Sequence, residues 1–261
     1  MSDLLRLVPQ VLRARGWRLY TKTGRLVDLW QYGGRAILGH KSPGLLRTFK
    51  NSGERGLFVP LPHFTEDRLY KALSALFPGR SFRLYDSEAS LRQALNAAAL
   101  TPPGSSSFVV LWRPFLDGET QTSLQSAPVL VPALPCPFPG APSVLAVDPA
   151  QAGDIMEKLP PSQLLSPVML AAAAGSVYDL LAVPARGNPR FPKIDRALKK
   201  NTEWKRQGVY LNYTGKNYAA LFRKFLDGGF LLPPSPEEPA ILPGELSPGE
   251  EAKLAGLMEL Q

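Results

Sequence analysis

The chain has 261 residues, 44% hydrophobic and 20% charged, with a formal net charge of +8. That length holds one large or two small domains with a real core, and the single cysteine, Cys136, excludes an internal disulfide framework and fits a reducing compartment. No apolar run is long enough to span a bilayer, because Leu164–Leu181 is interrupted by Ser166, Pro167, Gly175, Tyr178 and Asp179. The first residues lack the compact apolar core of a signal peptide, so a cytoplasmic location is expected.

In chain order, a leucine- and arginine-rich opening leads into Trp17–Leu29, which reads as a hairpin. Leu19 and Thr21 precede a Lys22-Thr23-Gly24 turn, and Leu26, Val27 and Leu29 follow it. After the Gly33-Gly34 loop, Ser42-Pro43 starts a helix with a hydroxyl cap, and Leu45, Leu46 and Phe49 supply its buried face. Thr65-Glu66-Asp67 caps a second helix carrying Leu69, Ala72, Leu73 and Leu76. Phe82–Tyr85 is a short strand, and Asp86 or Ser87 caps a third helix with Leu91, Leu95 and Ala98.

Phe108–Trp112 is apolar on both faces, as a strand covered on each side would be. Val129–Val131 and Ser143–Val147 are further strands, separated by a proline-rich loop. Ser166-Pro167 opens a small-residue helix through Leu181, whose Ala171–Ala174 run allows close packing. Lys193–Arg206 is the most basic stretch, with Ile194, Ala197 and Leu198 at helical spacing. Tyr218, Leu221, Phe222 and Phe225 form a helix stopped by Gly228-Gly229. Phe230–Leu232 and Ala240–Leu242 are strands, and Ser247-Pro248-Gly249-Glu250 is a capping box. Alternating strands and helices make the fold class α/β.

Asp28, Gly33, Gly34, Leu38, Gly39, His40 and Pro43 follow a recognisable order: a hairpin, an Asp, a glycine loop, then Leu-Gly-His-x-x-Pro entering a helix. Here the chain resembles class III aminotransferases, the pyridoxal-phosphate enzymes that include glutamate-1-semialdehyde aminomutase. Tyr218–Met258, with Gly229, Leu232, Pro234 and Ser235, is similar to that family's closing segment. The resemblance implies a reduced pyridoxal-phosphate-transferase-like fold. A small α+β domain would combine residues 1–60 and 207–261, and residues 61–206 would form a truncated large-domain remnant with a shortened central sheet flanked by helices.

The same resemblance aligns Asp86–Leu95 with the family's phosphate-binding helix, keeping Ser87 but placing Glu88 where the family has glycine. A carboxylate there opposes the attraction of a helix N-terminus for anions. It aligns Ala133–Ala141 with the segment after the Schiff-base lysine, which puts Pro132 at the lysine position. No lysine occurs between Lys71 and Lys158, and imine chemistry needs an amine. The family's pyridinium-pairing Asp falls at Trp112-Arg113. The resemblance therefore implies a shortened, non-catalytic relative with no bound cofactor, acting as a binding or partner subunit. Its partner would be a second copy, since family members dimerise through the large domain, or a full-length aminotransferase homologue.

Gly33, Gly34, Arg35, His40, Ser87 and Arg113 are the candidate ligand-binding residues; none is assigned a catalytic role or a metal. His40 and His63 are too far apart for a local metal motif. Two other readings stay open. One is an enzyme with cofactor-independent chemistry in a residual cleft, using Arg113 with Asp117 and Glu119. The other is a basic adaptor for an anionic polymer through Lys193–Arg206, although nucleic acid is not expected without aromatic interleaving beyond Trp204.

Overall fold

The computed structural model describes residues 3–103, 107–183 and 191–259. In chain order the elements are β1 (Val11–Arg15), β2 (Arg18–Thr21), β3 (Arg25–Asp28), α1 (Pro43–Gly53), α2 (Thr65–Leu76), β4 (Ser81–Tyr85) and α3 (Glu88–Ala97). They continue as β5 (Val109–Trp112), α4 (Gly118–Gln125), β6 (Val129–Pro132), β7 (Ser143–Val147), α5 (Pro149–Ala152), α6 (Ile155–Lys158) and α7 (Pro167–Ala182). Last come α8 (Pro192–Lys200), β8 (Trp204–Gln207), β9 (Tyr210–Tyr213), α9 (Tyr218–Asp227), β10 (Phe230–Leu231), β11 (Ala240–Ile241) and α10 (Pro248–Glu259).

Contacts divide the chain into two compact units. The terminal unit comprises Met1–Lys41, Phe115–Asp117 and Ala185–Gln261; the central unit comprises Ser42–Pro114 and Gly118–Pro184. These bounds differ from the 60 and 206 expected from sequence. Helix α1 packs along α7 in the central unit, and α8 packs on α10 in the terminal one.

In the terminal unit, β1-β2-β3-β10 form one sheet and β11-β9-β8 another. The β2–β3 hairpin expected at Trp17–Leu29 is present, with Leu19 opposite Leu26. β10 lies parallel to β3, so the chain's two ends share a sheet. Ile241 N donates to Leu29 O and Leu242 N to Val209 O, which joins β11 to both layers. Phe222, Phe225, Phe230, Leu254 and Met258 belong to this unit's buried core. Gly208 turns β8 into β9 at φ +60°, and a Cβ there would meet Phe115 O at 2.2 Å. Only glycine admits the Phe115–Asp117 excursion beside that turn.

The central unit carries a sheet of order β4-β7-β6-β5. β5 and β6 are parallel, and β7 runs antiparallel to both β6 and β4. Every residue of β7 is buried, which requires cover on both faces. Leu91, Ala94 and Leu95 of α3 pack with Leu145 and Val147 on one of them. Helix α7 packs against α1 and α2. Its buried Ala171–Ala174 run and Gly175, 3.4 Å from Thr48 Oγ1 at the Cβ position, give the close approach read from the small residues.

Some local expectations are corrected. Leu46 does not belong to α1's buried face; it is among the exposed hydrophobic residues, whereas Leu45 is buried. Thr65 is the first residue of α2 rather than its cap: Phe64 stands at the cap position without a side-chain cap bond, and Thr65 N donates to His63 Nδ1 at 3.3 Å. The basic helix ends at Lys200, and Lys205 and Arg206 lie on β8 instead. Val11–Arg15, part of the leucine- and arginine-rich opening to which no element is assigned from sequence, is an edge strand whose side chains are mostly exposed. Asp117 and Glu119, read as a loop, flank the start of α4; the Glu119 side chain lies outside the described residues.

Candidate functional site

Two places in the fold gather the residues that carry chemistry, one in each unit. In the terminal unit β3 ends at Asp28, whose side chain is almost wholly buried. Its Oδ1 accepts from the backbone N–H of Trp30 and Gln31, both at 2.9 Å, and its Oδ2 accepts from His40 Nε2 at 2.7 Å. A carboxyl group buried in this way needs such donors to offset its lost hydration. The clasp closes the 29–40 loop, and His40 N donates to Gly16 O.

Inside that loop Gln31, Tyr32, Gly33 and Gly34 take φ values of +49°, +52°, +66° and +93°. Four successive left-handed residues are rare in L-polypeptides, and only two of these are glycine. Gln31 is fully buried: its Nε2 donates to Ile241 O, while its Oε1 has no hydrogen-bond partner. Trp30 Nε1 donates to Glu238 Oε2 at 2.9 Å, and the Arg35 guanidinium lies 5.7 Å from the centroid of the Tyr32 ring. Thus Gly33, Gly34, Arg35 and His40 do share one loop. His40 is tied to a structural carboxylate, the role its place at a helix entry favours.

In the central unit β4, β6 and β5 all run the same way, so their carboxyl ends lie at one end of the sheet. In sheets of this kind ligands are held beyond the carboxyl ends of the strands. This end therefore brings together Ser87, following β4, Pro132, closing β6, and Arg113, following β5. Ser87 caps α3, its Oγ accepting from Ser90 N at 3.1 Å. Asp86 supplies the anion: its Oδ1 accepts from Ser90 Oγ at 2.6 Å and from Ser87 Oγ at 2.9 Å. Those bonds from Ser90 and Ser87 hold the Asp86 carboxyl below its ordinary range. Glu88 adds a second acid in the first turn of α3. Sequence reasoning weighed Asp86 only as an alternative cap and missed it as the charge at this helix end.

Pro132 is buried opposite Trp112, and Ala133 N donates to Trp112 O. The loop that follows turns inward, burying Leu134, Cys136, Phe138 and Ala141. Phe138 meets the Phe49 ring edge-on at 5.0 Å, and Trp112 meets Phe77 at 4.8 Å. Apolar side chains thus pack at the sheet end where polar groups would converge on a ligand. Lys50, Lys71 and Lys158 are the central unit's lysines, and all three are exposed. Lys158 is paired with Asp154 at 2.8 Å.

Three of the six cations of the basic stretch 193–206 are engaged by their own unit. Lys200 Nζ lies 3.0 Å from Glu259, Lys193 Nζ donates to Pro248 O, and Arg206 pairs with Asp195 while lying over Phe191. Glu250 is the strongest ionic junction. Arg18 donates to it through Nε at 2.9 Å and Nη2 at 2.7 Å, and Arg25 adds a third bond at 3.0 Å. It also completes the capping box by accepting from Ser247 N. The Arg18 hydrogen bonds lower its carboxyl to about 2.

Among the described residues no three metal-binding side chains cluster, and no helix is long and apolar enough to cross a membrane. No family model matches the sequence. The chain is 28% identical to an uncharacterized protein of Treponema pallidum (strain Nichols), over 93% of this chain and 91% of that one. It is 25% identical to an uncharacterized protein of Borreliella burgdorferi, over 93% and 87%. Among solved structures it is similar to the ornithine delta-aminotransferase of Plasmodium falciparum, with a TM-score of 0.67, 13% identity, and coverage of 97% and 92%. It is also similar to an omega-transaminase from Sphaerobacter thermophilus, with a TM-score of 0.69, 11% identity, and coverage of 96% and 90%. The fold is therefore that of the pyridoxal-phosphate-dependent aminotransferases, as the sequence resemblance implied. At these identities the likeness speaks for the fold alone.

Proposed function

We propose that the protein is a non-catalytic member of this fold that acts as a binding or partner subunit. The observation that carries the reading is the carboxyl end of the central sheet, where β6 closes on buried Pro132 and every lysine of the unit is exposed. A tertiary amide nitrogen locked in a ring has no hydrogen to lose and cannot form an imine. Pyridoxal phosphate would supply an electron sink if bound, but the residues present fit neither its phosphate nor its aldehyde. The N-terminus of α3 already faces the Asp86 carboxylate and carries Glu88 two residues on. A phosphate there would meet like charge, which outweighs the modest attraction of a helix end. The buried apolar loop 133–142 supports the same reading.

The cofactor-independent alternative gains no specific support from the described residues, in which Asp117 and Glu119 flank the start of α4. The adaptor reading has lost density, because Lys193, Lys200 and Arg206 are each engaged within the terminal unit. The test is chemical. Purified protein incubated with pyridoxal phosphate and then borohydride should show no phosphopyridoxyl group on any central-unit lysine by peptide mass spectrometry. Stoichiometric labelling of one lysine there, together with aldimine absorbance before reduction, would sink the reading.

A further inference from the structure

The two units differ in charge as well as in build. The terminal unit holds twenty lysines and arginines against twelve acidic side chains, and the central unit ten against ten, so the whole net charge of +8 belongs to the terminal unit. Part of it is concentrated on one face of the β1-β2-β3-β10 sheet. Residues directly opposite each other in an antiparallel pair carry their side chains on the same face. Arg13 is opposite Tyr20, Tyr20 is opposite Arg25, and Arg15 is opposite Arg18. Three neighbouring strands therefore gather four guanidinium groups within about 12 Å, little more than a Debye length at physiological salt.

Carboxylates answer only two of the four. Glu250 holds Arg18 and Arg25, and Glu245 acts on Arg18 from further off. Arg13 and Arg15 are exposed, and neither forms a salt bridge among the described residues. Arg15 set directly against Arg18 is a repulsive pair, which an anion laid over the face would relieve. The same outer strand and its approach are also apolar: Leu7, Val11 and Leu12 are exposed by 41%, 42% and 60%. Cations beside exposed aliphatic side chains match a lipid surface with anionic headgroups. The aliphatic groups enter the headgroup boundary, the cations add electrostatic attraction, and stable attachment takes both signals. Nucleic acid would use the cations and leave the leucines idle. The ring on this face, Tyr20, is also covered by the Arg13 guanidinium, 4.4 Å from its centroid, and so offers no free platform to a base.

We infer that the β1 edge, through Arg13, Arg15 and Leu12 with Leu7 and Val11, docks the protein peripherally on an anionic lipid bilayer. Docking is independent of the non-catalytic reading, which rests on the central unit. Borohydride labelling would defeat that reading alone, and failure to bind vesicles would defeat docking alone. The test is co-sedimentation of the full chain with vesicles of phosphatidylcholine containing phosphatidylglycerol, and with vesicles of phosphatidylcholine only. Binding to the first and not the second is expected. Arg13→Glu/Arg15→Glu should weaken it about tenfold or more and Leu12→Asn by a smaller factor, with helical content and melting temperature unchanged because these side chains are exposed. Lys199→Glu/Lys205→Glu removes the same charge from exposed positions elsewhere in the unit and should weaken binding far less. A wild type left in the supernatant, equal losses in the two double-glutamate variants, or binding to a labelled oligouridylate in place of vesicles overturns the assignment.

Discussion

In the terminal unit a single carboxylate, Glu250, joins a C-terminal helix to Arg18 and Arg25 more than two hundred residues earlier, and Asp28 closes a loop through three donors. In the central unit such tying falls to area: Leu69, Ala72 and Leu73 of α2 and Ala172–Ala174 and Val177 of α7 are wholly buried. Both units have buried apolar cores, but the first adds carboxylate clasps at Glu250 and Asp28, so part of its order responds to protons. The α2–α7 packing of the second responds to volume.

The sharpest way to break that contrast is Glu250→Ala, which leaves the Arg18 guanidinium half-buried without its partner. A loss of about 3–5 kcal/mol is expected, read by urea unfolding and as faster amide exchange in β2, β3 and α10. The acid limb tests the same carboxylate. Its folded value of about 2 lies below the ordinary 4.5, so its stabilisation is complete above about pH 4.5 and is lost as pH falls toward 2. Roughly 3 kcal/mol is at stake across that window, and Glu250→Gln should flatten it.

For the central unit, Leu73→Ala removes a fully buried side chain. It should cost about 2–4 kcal/mol through lost transfer energy and a residual cavity, with no change in the slope of stability between pH 5 and 2. A slope that did change would erase the contrast. The smallest effect belongs to Ser87→Ala, which deletes the α3 cap. About 1 kcal/mol is expected, with exchange protection lost only in the first turn of that helix.

Local signals carried much of this architecture. The hairpin followed from alternation around Lys22-Thr23-Gly24, the starts of α1 and α3 from Ser42 and Ser87, and the capping box from Ser247 and Glu250. Each is a short-range pattern whose hydrogen bonds lie within three residues. β1 escaped because an exposed edge strand has no buried face to pattern. β8 escaped because Trp204-Lys205-Arg206-Gln207 reads as the tail of a basic helix, and its strand is set by pairing with β9. Of the site, the composition at Ser87, Glu88, Pro132 and Arg113 was legible. Their gathering at one sheet end was not, since it depends on strand directions. The Asp28–His40 bond and the left-handed run between them leave no periodic trace.

The three-residue excursion Phe115–Asp117, seated beside Gly208, has a consequence for dissecting the chain. Because the backbone leaves one unit at Pro114 and returns at Gly118, neither unit corresponds to one uninterrupted stretch of gene. A fragment cut at residues 42 and 184 would carry Phe115–Asp117 away from its seat beside Gly208. Any side chain at position 208 would meet Phe115 O and unseat that excursion within the terminal unit.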